Sequence, residues 1–218
     1  MAKRRGGRRA TVTVAGTGRL ASRPDLARAT FSVEATRPTA ADARASAAAT
    51  AEAVIAALRV VGLGADDVHT VSLDISPAWE HEGGRSVRSG FTATSRLGVA
   101  IRDLDGVGRV VDAGLGAGAT GLDGVGFELA DPGSAAAGAR RLAVVDARAR
   151  ASVIAEAAGC RLGRLVAITE GGSVAPGWPP VARALLATEA TTPVLPGLIE
   201  TVVEVVVEWE LDAVAGRG

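Results

Sequence analysis

Apolar and polar residues alternate over residues 11–20 and again over 26–36, with Val12 and Val14, then Ala27, Ala29, Phe31 and Val33, on one parity. Between them Ser22-Arg23-Pro24-Asp25 has turn composition, so this stretch predicts two strands joined by a turn. Thr39 and Asp42 then stand at capping-box spacing. Beyond them Ala40, Ala43, Ala47, Ala51, Val54, Leu58 and Val61 recur at steps of three and four, one face of a helix that Gly62 and Gly64 end. From 68 to 79 the pattern returns to a period of two, with Val71, Leu73, Ile75 and Trp79 on one side. After Glu82-Gly83-Gly84-Arg85 a second alternating run places Val87, Phe91, Ala93, Leu97, Val99 and Ile101 on one face. Two such runs about a Gly-Gly turn predict a long hairpin with one buried side.

Asp103 is positioned to cap a short helix whose face is Leu104, Val107, Val111 and Leu115, and residues 121–130 predict a strand. Asp131-Pro132 opens a second long helix with proline at its favoured first position. Its expected buried stripe is Leu142, Val145, Ala149, Val153 and Ala157, with Gly159 as its stop. Residues 164–170 predict a strand. The last strand, 198–211, puts Ile199, Val203, Val205, Val207, Trp209 and Leu211 on one side and Glu200, Glu204, Glu208 and Glu210 on the other. Mostly hairpin-linked strands with helices between them predict an α+β fold: a mostly antiparallel sheet of long hairpins, covered on one face by two long helices and one short one. The expected organisation is a basic tail over 1–10 and a domain over 11–212, with a possible division into halves near 103 and a long loop at 171–196 inside it.

Composition narrows the choice of function. Of 218 residues, 24 are Lys or Arg and 24 Asp or Glu, so no net field draws nucleic acid or anionic lipid. Three Phe, three Trp and no Tyr leave few platforms for stacking bases. No run approaches the roughly 18 apolar residues of a membrane helix. Lys3, Arg4, Arg5, Arg8 and Arg9 resemble the start of a secretion signal, but strand-like Thr11-Val12-Thr13-Val14 follows where the apolar segment would stand. The chain as given is therefore expected in the cytoplasm.

Residues with catalytic chemistry are sparse. Gly116-Ala-Gly118-Ala-Thr-Gly121 has the glycine spacing of a dinucleotide loop, but a helix precedes it and a strand follows, the reverse of what phosphate binding at a helix N-terminus needs. The only histidines are His69, which shares the parity of Val71 and Leu73, and His81, beside Glu80 and Glu82. Adjacent side chains on a strand diverge, so Glu80-His81-Glu82 does not predict a metal site. Cys160 is the lone cysteine. No catalytic, cofactor-binding or metal-ligating residue is predicted.

Two regions predict interaction instead. Val202 and Val206 interrupt the glutamate row of Glu200 and Glu204, which reads either as a solvated face or as a mixed surface that a second subunit covers. The 171–196 segment carries Trp178, Val181 and Leu185, apolar for a linker of its length, and reads as folding back on its own sheet or docking on a neighbouring subunit.

Several aperiodic phrases recur in one order along the chain: Val12-x-Val14-x-Gly16-x-Gly18, Pro24-Asp25, Leu97-x-Val99-x-Ile101-Arg102-Asp103-Leu104-Asp105-x-x-Gly108, Gly124-Val125-x-Phe127-x-Leu129-x-Asp131-Pro132, Ala143-Val144-x-Asp146-Ala147-Arg148-x-Arg150-Ala151 and Pro196-Gly197-x-Ile199. Together they resemble the SIMPL-domain (YggE-like) family, whose biochemical role is largely unassigned. The resemblance implies envelope or oxidative-stress roles, a periplasmic or cell-envelope location in relatives, and ring-like assembly in some members. The expectation is thus a non-enzymatic homo-oligomer without cofactor, specific nucleic acid or transmembrane segment. The alternative is a small-ligand-binding module with the 171–196 loop as its lid.

Overall fold

The computed structural model describes residues 9–82, 84–171 and 195–213. Seven strands and three α-helices follow in the order β1 (Thr11–Ser22), β2 (Leu26–Arg37), α1 (Ala40–Val60), β3 (Val68–Glu82), β4 (Arg85–Ile101), α2 (Val107–Gly116), β5 (Gly121–Glu128), α3 (Pro132–Ala157), β6 (Cys160–Glu170) and β7 (Ile199–Ala213), the order predicted above. The α+β class holds, and all strand pairing is antiparallel. The strands divide into two sheets, β1–β7–β6 and β3–β4–β2–β5, each in its own compact unit. The adjacent strands β1 and β2 do not pair: β1 joins β7 from the other end of the chain, and β2 lies between β4 and β5.

The two units repeat one plan. In the second, β2-α1-β3-β4 forms a sheet with its last strand between the other two; in the first, β1-α3-β6-β7 does the same, with the second unit inserted after β1. Each helix links two parallel strands that flank the third, a split β–α–β arrangement.

In the second unit α1 begins as predicted, with Thr39 Oγ1 accepting from the Asp42 amide at 3.1 Å. It buries Ala43, Ala47, Ala51, Val54 and Leu58 against Phe31, Val33, Leu97, Val99 and Ile101. Gly114 of α2 sits directly on the Phe31 ring. Asp103 does not cap α2: it precedes a 3-10 turn, and its carboxylate accepts from Arg109 at 3.0 Å. Consequently α2 starts at Val107 and buries Val107, Val110 and Val111, while Leu115 is exposed.

The predicted buried face of β3 is corrected. Val71, Leu73, Ile75 and Trp79 are 42–60% exposed, as is Val87 across the hairpin. β3 is the edge of its sheet, and β2 pairing on β4 stops at Arg37↔Phe91, so the hairpin continues beyond it as a two-stranded ribbon. A bulge between Thr70 and Ser72 also breaks the parity. His69 and Val71 lie against Gly98, while Leu73 pairs with Ser95 and Ile75 with Ala93 on the opposite, core-facing side.

The stripe of α3 is corrected as well. Its buried residues are Ala135, Ala139, Ala143, Ala147, Ala151 and Ala155, whereas Leu142, Val145 and Val153 are 44%, 64% and 66% exposed. The cause lies on β1. Gly16 and Gly18 point at the helix, and a Cβ on Gly18 would stand 1.9 Å from the Ala139 carbonyl oxygen. Backbone meets backbone there, and only alanines fit the seam. The alanines pack with Val12, Val14, Val203, Val205, Val207 and Trp209 into the core of the first unit.

Candidate functional site

Of the predicted interaction residues, Glu200, Val202, Glu204 and Val206 lie on β7 in the first unit. β7 is its central strand, and α3 covers one face of the β1–β7–β6 sheet. Register with β1 pairs Val202 with Arg19, Glu204 with Thr17, Val206 with Ala15 and Glu208 with Thr13, all on the face turned from α3. There Val206 is 45% exposed, Glu204 and Ala15 are exposed, and Val202 is half-buried. Glu200 is exposed at one end and meets Arg19 at 3.5 Å. Trp178, Val181 and Leu185 lie outside the described residues, as does most of the 171–196 segment.

Glu210 departs from both readings of the glutamate row. It belongs to the same face by register, yet only 5% of it is exposed. Arg164 donates to it at 2.6 Å and Arg9 at 2.7 Å. These two guanidiniums, Arg164 first, hold its carboxyl down to about 2, and the Glu210 carboxylate in turn raises Arg164. The Leu211 amide also donates to the Ala10 carbonyl at 2.8 Å, so the chain before β1 is fastened to the end of β7. Alternation along β7 carried no sign of this, because the partners come from distant positions.

A second lock explains two of the recurrent phrases. Gly16-Thr17-Gly18 lets α3 approach β1, and Asp146 then accepts from the Thr17 amide at 2.9 Å. Arg150, one turn on, pairs with Asp146 at 3.0 Å. The Thr17 amide, ahead of Arg150, lowers the Asp146 carboxyl below its ordinary range. β1 is an edge strand, so Asp146 also occupies a donor that another strand would otherwise take.

Within the second unit the two histidines do not come together. His69 and His81 stand at opposite ends of β3, and His81 Nε2 is 3.4 Å from Ser86 Oγ at the hairpin tip. Cys160 belongs to the other unit, its thiol 3.6 Å from the Ala158 carbonyl. Among the described residues no three His, Cys, Asp or Glu converge as metal ligands would. Val14, Ala15, Ala149, Arg150, Val153 and Ile154 line a shallow apolar groove beside β1 that is open to solvent. No described helix is long and apolar enough to cross a membrane.

These features define a two-unit α+β protein whose distinctive surfaces are faces of a sheet and a helix. The chain belongs to the SIMPL family, whose model, described as a protein of unknown function (DUF541), matches residues 12–209. It is similar to the 26 kDa periplasmic immunogenic protein of Brucella abortus, 28% identical over 166 residues, which is 74% of this chain and 66% of that protein. It is also similar to the uncharacterized protein YggE of Escherichia coli K12, 24% identical over 72% of this chain and 64% of that one. A YggE protein of Edwardsiella ictaluri is 27% identical over 72% of this chain and 66% of its own length. The chain thus spans just under two thirds of the length of these curated relatives.

Proposed function

We propose that this protein acts through assembly rather than catalysis: a binding module that self-associates through the open face of the β1–β7–β6 sheet. The observation that carries this reading is the surface around Val206. This valine is 45% exposed in the middle of a central strand, beside exposed Ala15 and half-buried Val202. Desolvating that apolar centre favours association, and Glu200 and Glu204 suit the polar rim that interfaces carry. The separation of His69 from His81 along β3 gives a catalytic reading no comparable support. The periplasmic location in the name of the Brucella relative supports work in the cell envelope rather than the cytoplasm. Light scattering at micromolar concentration tests the reading. The wild-type protein is expected above monomer mass, and Val202→Lys with Val206→Lys is expected to lower that mass with the circular dichroism spectrum unchanged. A monomeric wild-type protein, or a double variant that assembles normally, refutes it.

A further inference from the structure

The sheet face just described has a complement on the other side of the same unit. Because α3 buries its alanines, its larger apolar residues are left outward: Leu142, Val145 and Val153 follow one another at steps of three and eight, with exposed Ala149 between the last two. At 100° per residue these four positions fall on one side of the helix. The flank of that stripe is cationic. Arg140 is taken by Glu170 and Arg150 by Asp146, but among the described residues Arg141 and Arg148 have no carboxylate partner. The open sheet face is the opposite case. Arg19 answers Glu200 and two arginines answer Glu210, yet among the described residues Glu204 and Glu208 have no cationic partner. Two unanswered arginines beside an apolar stripe thus match two unanswered glutamates beside Val202 and Val206.

The dimensions agree. Arg141 and Arg148 are separated by about 10 Å along a helix rising 1.5 Å per residue. Glu204 and Glu208 are separated by about 13 Å along a strand, a difference that arginine side chains span.

We infer that the outward face of α3 in one copy of this protein docks on the open β1–β7–β6 face of the next, Arg141 and Arg148 meeting Glu204 and Glu208 around an apolar centre. The inference rests on the self-association proposed above and names its second surface. α3 and the open face lie on opposite sides of one sheet, so the contact is heterologous: every copy offers one of each, and copies add head to tail.

Charge reversal with complementation decides it. Arg141→Glu with Arg148→Glu, and separately Glu204→Lys with Glu208→Lys, places like charges across the contact and is expected to weaken association about a hundredfold in light scattering or sedimentation. Among the described residues none of the four forms an ion pair, and all but half-buried Glu208 are exposed, so circular dichroism is expected to show both variants folded; Arg141→Gln with Arg148→Gln serves as a milder pair should the first misfold. An equimolar mixture of the two reversed proteins is expected to recover the wild-type mass, because each supplies the surface that the other lost. If the wild-type protein is monomeric, the proposed self-association fails and this inference with it. If the wild-type protein assembles and Val202→Lys with Val206→Lys breaks it, but the α3 reversal does not, self-association stands and the α3 contact is overturned in favour of sheet against sheet. A mixture that stays dissociated also overturns it. So does an α3 reversal that leaves the mass unchanged and abolishes only binding to phosphatidylserine vesicles, which would mark α3 as a membrane-facing helix.

Discussion

Replacing Gly18 by alanine adds one methyl group at the tightest contact in the first unit. The new Cβ would lie 1.9 Å from the Ala139 carbonyl oxygen and 2.5 Å from the Ala143 amide nitrogen, where ordinary contact begins at 3.4 Å. Both are backbone atoms of α3, so no side chain can rotate away. The helix must retreat by about 1.5 Å, and a gap of even 0.5–1 Å forfeits a quarter to a half of each dispersion contact along the seam. Ala139, Ala143, Ala147 and Ala151 all lose partners at once, and the bond from the Thr17 amide to Asp146 is stretched with them. Overpacking costs about 1–3 kcal/mol where side chains can adjust; here the upper end, about 3 kcal/mol, is the minimum expected. For a chain of this size that is a fall of roughly 6–12 °C in Tm. Gly116 is the control, since a Cβ there meets nothing within 4 Å and the residue is helical. Gly116→Ala is expected to stabilise by about 0.5–1 kcal/mol. Thermal melts followed by circular dichroism, with urea titrations, measure both. A Gly18→Ala protein as stable as the wild type would refute the close-approach account of the Gly16-x-Gly18 phrase.

Glu210 has its carboxyl depressed to about 2 in the folded protein from an ordinary 4.5, so its contribution is present above pH 4.5 and lost as pH falls from there toward 2. The Tm of Glu210→Gln should lie below that of the wild type at pH 7 and converge with it on acidification; a gap that does not change with pH would count against the Arg9–Glu210–Arg164 lock. Val99 is 1% exposed between α1 and its sheet, and Val99→Asp buries a charge without a partner there, with a loss of at least about 4 kcal/mol. Urea denaturation, or the soluble yield of the variant, checks it, and an unchanged midpoint would remove Val99 from the core.

Sequence patterning decided the elements because their signals are local. Thr39 with Asp42 started α1, the left-handed Gly62 and Gly159 followed the ends of α1 and α3, and alternation marked β1, β2, β3, β4 and β7. Period also identified which residues share a face, and for α1, β2, β4 and β7 the buried face is the one that the pattern singled out, apart from Val61 beyond the end of α1 and Val87 at the hairpin tip. The open face of β7 was legible on the same ground, as the other parity of a strand with a continuous valine side.

Tertiary structure decided what covers each face, and there the pattern misleads. On α3 the larger apolar residues mark the outward side, because two glycines on β1 bring the helix so close that only alanine fits beneath it. On β3 the apolar residues stay exposed because the strand is the edge of its sheet and its tip, with Trp79, extends past β2, and one bulged residue moves His69 away from Leu73. Glu210 is buried by arginines far from it in sequence, one of them preceding β1. Hydrophobic period reports which side chains point the same way; what that side meets depends on strand pairing and on the distance of approach, which form between segments more than a hundred residues apart, as β1 and β7 do.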